Sequence, residues 1–158
     1  MIEVYDALAL KEPWLELILL ELKTLETRTK LMRKKSGAVV LCSSKEIDVD
    51  AWVNPAVGGL LDDLAKRRAL AGVGKTRALV DMSGFRPGVP GVEDERARIG
   101  ILLPDGSVRF VSEVANPRRL VEYPTMRIQE REGEEPRVVP GASQGFFRMP
   151  ASMVRLAA

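Results

Sequence analysis

Gly37-Ala38-Val39-Val40-Leu41-Cys42 is apolar from end to end, with no polar residue alternating through it. A strand of that kind has both faces covered, which places it at the centre of a sheet rather than at an edge. Such a strand needs neighbours beside it and layers on both sides, and the flanking sequence supplies them. Upstream lies a basic connection, Lys30-Leu31-Met32-Arg33-Lys34-Lys35-Ser36, and before it Thr24 to Arg28, rich in β-branched residues and predicted as a strand. Trp14 to Leu22 predicts a short amphipathic helix, with Pro13 at its first position, where a missing N–H goes unnoticed. Glu12 and Glu16 stack on one side of it, while Trp14, Leu17, Ile18 and Leu20 to Leu22 face inward. Lys23 closes the helix, where a cation suits the negative end of the dipole. Val4 to Leu10 predicts a first strand.

Downstream, Asp48 to Leu70 has a helical pattern divided by Pro55 and Gly58-Gly59, and Thr76 to Met82 predicts another strand. Gly84 to Gly91 is too rich in glycine and proline for regular structure. Ile99 to Leu103 and Val108 to Val114 flank Pro104-Asp105-Gly106-Ser107, a hairpin pattern. Asn116-Pro117 predicts a turn, followed by a strand near Leu120 to Ile128, a solvated acidic stretch from Glu130 to Glu135, and a glycine-punctuated segment from Gly141 to Met149. A short helix or strand from Pro150 to Leu156 ends the chain. With no internal repeat and no linker, residues 1–158 are expected to form a single domain. About six strands with two helical regions inserted early describe an α+β fold, a closed or nearly closed mixed β-barrel with two or more helices on its rim.

The chain contains no histidine, which excludes Ser-His-Asp chemistry, paired-histidine ribonuclease chemistry and histidine-ligated zinc. Its one cysteine, Cys42, excludes an intrachain disulfide, and its apolar setting predicts a buried structural thiol. A cytoplasmic setting is expected from this, and from an N-terminus without the basic start of a signal peptide. The hydrophobic stretch Trp14 to Leu22 is interrupted by Glu16 and Glu21 and is too short to cross a bilayer, so no membrane partner is expected. The 24 basic and 22 acidic residues nearly balance, which argues against a duplex-DNA packager but leaves room for a local basic groove.

The segment richest in chemistry is Lys23-Thr24-Leu25-Glu26-Thr27-Arg28. On a strand, side chains two apart share a face, so Thr24, Glu26 and Arg28 point one way and Leu25 and Thr27 the other. Arg28 offers a planar donor fork for phosphate or base edges, and Glu26 accepts from an amine. Lys23, at the corner between helix and strand, can lean over the same place. A lysine desolvated near Arg28 would have a lowered pKa and could act as a base, with Glu26 shuttling a proton. The blander reading is an exposed strand on which Glu26 and Arg28 merely pair with each other.

Three pieces, in order, resemble the ASCH domain family, relatives of the PUA domains: Leu8-Ala9-Leu10-Lys11-Glu12-Pro13-Trp14, then Lys23-Thr24-Leu25-Glu26-Thr27-Arg28, then Gly37-Ala38-Val39-Val40-Leu41. Asn116-Pro117-Arg118-Arg119-Leu120 and Gly145-Phe146-Phe147 add to the likeness, and the length suits a small stand-alone member. The resemblance implies a PUA-like barrel with a cleft between the first helix and the barrel that binds RNA or nucleotides. Some bacterial members remove an acyl group from the exocyclic amine of cytidine, using a lysine, a threonine three residues later and a distant glutamate; another is described as a ribonuclease. The lysine falls on Lys23, but the threonine's position holds Glu26, which moves the expectation from catalysis to recognition. The distant acid would be Glu93, Asp94 or Glu95.

The expected function is therefore an RNA- or nucleotide-binding module. Lys23, Thr24, Glu26, Arg28 and Trp14 are the ligand contacts, and Lys34, Lys35, Arg118 and Arg119 the phosphate contacts. Lys23 and Glu26 would be the catalytic pair of the alternative, a small hydrolase of acylated cytidine nucleosides or of RNA. A protein-interaction adaptor is the third reading. No cofactor, haem, flavin or metal is called for. Phe146 and Phe147 are further candidates for base stacking, and Lys66-Arg67-Arg68 is read as a solvated face. Gly72-Val73-Gly74-Lys75-Thr76 imitates a phosphate loop but has Ala69 where the motif needs a glycine, so it is expected to end a helix and open a strand.

Overall fold

The computed structural model describes residues 4–32, 36–99, 109–140 and 145–158. The chain runs β1 (Val4–Leu10), α1 (Trp14–Leu19), β2 (Leu25–Arg28), β3 (Gly37–Ser43), α2 (Val49–Val53), α3 (Asp63–Ala71), β4 (Thr76–Met82), β5 (Arg86–Pro87), α4 (Asp94–Ala97), β6 (Phe110–Arg119), β7 (Met126–Gln129), β8 (Arg137–Pro140) and β9 (Phe147–Pro150). Single 3-10 turns span Gly58–Leu60 and Ala151–Met153. The fold is α+β. One mixed sheet runs β2-β6-β4-β3-β1-β9, with β5 also pairing β6, and β7 and β8 form a separate hairpin. Among the described residues only β1 and β3 pair in parallel. Among the described residues no ladder joins β2 to β9, so the hydrogen-bonded sheet is open there.

β3 is central, as its apolar run predicts. Alternation divides the three middle strands between two cores. Leu8, Leu10, Val39, Leu41, Ala78, Val80 and Met82 pack with Leu15 and Ile18 of α1. Ala7, Val40, Cys42 and Leu79 pack on the other face with Leu120, Phe147 and Met149. Cys42 is fully buried, and that burial pushes its thiol up to about 12. The far side of α1 is covered too, since Leu17 packs against Ala51, Val57, Leu61 and Ala65 of the helical segment. None of the described helices is long and apolar enough to cross a membrane.

This double cover corrects the expected solvent face of α1. Glu12 and Glu16 are both 0% exposed and meet Arg77, itself 1% exposed, in β4. Arg77 donates to Glu12 Oε2 at 2.5 Å and to Glu16 Oε2 at 2.9 Å, while its Nε lies 2.9 Å from Glu122. Arg119 closes on Glu16 Oε1 at 2.8 Å, and Glu12 Oε1 accepts from the Glu16 amide at 2.8 Å, satisfying a free donor of the first helical turn. The network locks α1 and the start of β4 together. Burial, outweighing the neighbouring guanidinium, pushes the Glu12 carboxyl up to about 7.

Gly72 makes room for this network. A Cβ there would lie 2.3 Å from Cδ and 2.5 Å from Nε of Arg77. Because Arg77 is held at three points it cannot yield, so Gly72→Ala is expected to destabilise the fold by ~1–3 kcal/mol, the usual range for overpacking. A lowered urea midpoint with unchanged slope would show it. The glycines of the apparent phosphate loop thus end α3 and open β4, as expected.

Other boundaries differ from expectation. α1 ends at Leu19, and Leu20 is 36% exposed rather than inward. Asn116-Pro117 is no turn but an interior stretch of β6. Leu79 pairs with Arg118 and Asp81 with Ala115, so one extra residue is absorbed as a bulge, with Asn116 at φ 53°. A bulge tolerates a proline that cannot donate to the ladder. Arg86–Pro87, inside the segment read as irregular, makes a two-residue strand against Phe110 and Val111. The strand expected near Leu120 to Ile128 is confined to β7, which pairs with β8. The hairpin around Pro104 to Ser107 lies outside the described residues.

Candidate functional site

The end of β1, β2 and the segment that leaves β3 line a cleft of about 1020 Å³, together with Ile99, Arg109 and Gly145. Lys23, Glu26, Thr27 and Arg28 line it from the β2 side, and Trp14 from the start of α1. Lys11, Lys30, Lys45 and Arg109 add positive charge, against the carboxylates of Glu46 and Asp48.

Lys23 leaves the end of α1, its amide bonded to Leu17 O at 3.1 Å. Its side chain runs inward and is 2% exposed. Nζ donates to the carbonyls of Leu25 and, at 3.2 Å, Ala97, and lies 3.9 Å from Glu26 Oε1. The Trp14 ring centroid is 5.3 Å away, within cation–π range. Burial lowers the ammonium from 10.5 to about 8; Glu26 opposes the shift, and Arg28 and Arg109 add to it. Between those values the unfolded chain holds a proton that the folded chain has released, so this group makes stability rise with pH across that window. Lys23→Met removes the effect. The unfolding free energy of the wild type minus that of the variant is expected to increase from pH 8 to 10.5, followed by urea titration.

Glu26 is 5% exposed and held from several sides. Oε1 accepts from the Thr27 amide at 3.0 Å, and Oε2 from Arg28 Nη2 at 3.3 Å. The same Nη2 donates to Ala9 O at 2.8 Å, which ties β2 to β1 across the cleft floor. Glu26 and Arg28 do pair, but inside a concave wall rather than on an exposed strand. Trp14 is oriented by Asp48: its Nε1 donates to Oδ2 at 2.8 Å, while Oδ1 caps α2 through the Ala51 amide at 3.1 Å.

Not every expected contact is here. Thr24 precedes β2 and faces α4 instead, where its hydroxyl accepts from Arg96 Nε at 2.9 Å. Thr27, expected to face away, lines the cleft. Arg118 and Arg119 are consumed elsewhere, by Asp81 at 3.1 Å and by Glu16, because β4 separates that end of β6 from β3 and β1. Glu93 is bound by Arg86 and its carboxyl is held low by that hydrogen bond; neither it nor Asp94 nor Glu95 lines the cleft. Phe146 packs edge-on against Phe85 and Phe147 lies in the second core. Lys34 and Lys35 lie outside the described residues. The sequence reading missed Lys11, Lys45, Asp48 and Arg109, which reach the cleft from four separate segments. The one local signal among them is the helix-capping position of Asp48 ahead of Val49.

No protein-family model matches the chain, and no curated protein is found similar to it.

Proposed function

We propose that the cleft binds RNA or a nucleotide-like ligand, on a PUA-like barrel of the ASCH domain family. The observation that carries this reading is the fixed Glu26–Arg28 pair at the floor of a cation-rich cleft with an indole in its wall. Glu26 keeps lone pairs beyond those used by Thr27 and Arg28, an acceptor for a base amine. Arg28 supplies a fixed positive charge, and Trp14 an aromatic surface. Lys11, Lys30, Lys45 and Arg109 take the place of Arg118 and Arg119 as phosphate contacts of this reading, beside the expected Lys34 and Lys35. Barrel closure belongs to the proposal: β7 packs against β9 beyond the end of the hydrogen-bonded path, where a closing wall would stand.

Arg28→Ala tests it. Losing one hydrogen bond from a charged donor costs ~1.5–3 kcal/mol, so affinity for labelled single-stranded RNA in an anisotropy titration is expected to fall about tenfold or more. Because Arg28 also holds Ala9 O, the urea midpoint is measured alongside. Unchanged affinity removes the site.

The hydrolase reading has the lowered pKa of Lys23 in its favour. Against it, the amine's protons are directed at Leu25 O, Ala97 O and Glu26, so the group acts as a buried strut. Acetylated cytidine is accordingly expected to survive prolonged incubation; release of cytidine, lost in Lys23→Met, would replace the binding reading. The adaptor reading rests on Val49, Val53, Leu60, Leu64 and Leu70, all exposed on the helical segment, and it predicts neither RNA affinity nor turnover.

A further inference from the structure

Three lysines stand in a row where neighbouring strands meet one edge of the sheet. Lys11 follows β1, Lys45 follows β3, and Lys75 precedes β4. Backbone bonds bring these ends side by side: Ser44 N to Leu10 O at 2.7 Å, Ser43 N to Lys75 O at 2.9 Å, and Gly74 N to Ser44 O at 3.2 Å. Adjacent strands lie ~4.8 Å apart, so the row steps across the edge one strand at a time. Gly74, at φ +76°, turns the backbone beneath Lys45; a Cβ there would lie 3.7 Å from Lys45 Cγ. Lys11 and Lys45 line the cleft, and Lys75 lies beyond it. Among the described residues, none of the three ammonium groups has a hydrogen-bond or ion-pair partner. Of the carboxylates in the cleft lining, Glu46 and Asp48 follow Lys45 in the chain, and Asp48 is engaged by Trp14 and the α2 amide.

We propose that the cleft takes a segment of single-stranded RNA, not a free nucleotide, and that its sugar-phosphate backbone leaves the cleft over Lys11, Lys45 and Lys75. The inference rests on the reading of the cleft as a nucleotide site and adds the direction in which the ligand continues. Positive charge extends past the end of the enclosed volume, and a mononucleotide held against Glu26 and Arg28 has nothing to place there. A single strand is required because the Glu26–Arg28 pair meets a base edge only if that base is unpaired.

The test compares a mixed-sequence RNA hexanucleotide with the four nucleoside monophosphates, on the full chain and on Lys75→Ala. The hexanucleotide is expected to bind about tenfold or more tightly than the monophosphates. Each phosphate contact on a single strand contributes ~0.7 to the slope of log affinity against log salt. Lys75→Ala is expected to remove about that much from the hexanucleotide slope and to leave monophosphate affinity unchanged. Equal affinity for the two ligands, or an unaltered slope in Lys75→Ala, overturns the track while leaving the cleft reading standing. Failure of both ligands to bind overturns the cleft reading and the track together.

Discussion

Replacing Arg77 with methionine is expected to destabilise the protein by ~3–5 kcal/mol at neutral pH, the scale for breaking a buried ion pair by removing one partner. Among the described residues the guanidinium is the sole cation paired with Glu12, and methionine fills much of its volume without supplying charge. Glu16 would keep Arg119 at 2.8 Å and Arg68 at 3.4 Å, so most of the cost falls on Glu12. That assignment has a pH signature. The folded pKa of Glu12 is already up at about 7 from 4.5, and Arg77 is the principal influence holding it down. Without Arg77 it rises further. A carboxyl whose folded pKa exceeds its unfolded value contributes stability that is full below the unfolded value and is lost as pH rises through the folded one. Urea titrations should therefore show a smaller deficit near pH 5 than near pH 8. Adding Glu12→Gln should recover part of the loss, since the buried charge is then gone from both sides. A deficit independent of pH and not relieved by Glu12→Gln would place the cost in packing instead. Against a typical total of ~5–15 kcal/mol, the single change takes a large share of the stability.

Glu26→Leu is the second large effect, and it joins stability to the site. Glu26 stands 3.9 Å from Lys23 Nζ, and its removal leaves an ammonium 2% exposed beside neutral carbonyls and two further cations. The expected loss is ~2–4 kcal/mol at pH 7, toward the lower part of the buried-pair range because Lys23 can shed its proton. The sign with pH is opposite to that of Arg77→Met. Lys23 in the wild type deprotonates at about 8, and above that value Glu26 has little left to stabilise there. The gap between wild type and variant should narrow at pH 9.5. Binding of RNA should be lost at both pH values, because the acceptor on the cleft floor is gone. A variant of unchanged stability would show that Lys23 is held by its carbonyl partners alone.

Much of the framework was legible locally. β1 and β4 have the predicted bounds, β3 is one residue longer than its apolar run, and Glu26 and Arg28 do share a face, because alternation along a strand is decided within a few residues. The errors share a cause as well. Glu12 and Glu16 have the spacing of a solvated helix face, and nothing nearby distinguishes them from one; their partner lies 65 and 61 residues away. Asn116-Pro117 has turn chemistry, yet the ladder to β4 holds it in a strand by admitting a bulge. Arg118 and Arg119 are as basic as any cleft residue, and only the position of β6 in the sheet sends them to Asp81 and Glu16.

Short-range periodicity and residue type suffice for a central covered strand, the α+β class and the shared face of Glu26 and Arg28. The fold of the whole chain brings Lys11, Lys45, Asp48 and Arg109 to one cleft, sets Lys75 beside the end of β3, and buries Glu12, Glu16 and Arg77 together against α1. These depend on which strand ends become neighbours. Sheet order is a long-range outcome, settled when the two cores close on either side of β3, and no window of sequence contains it.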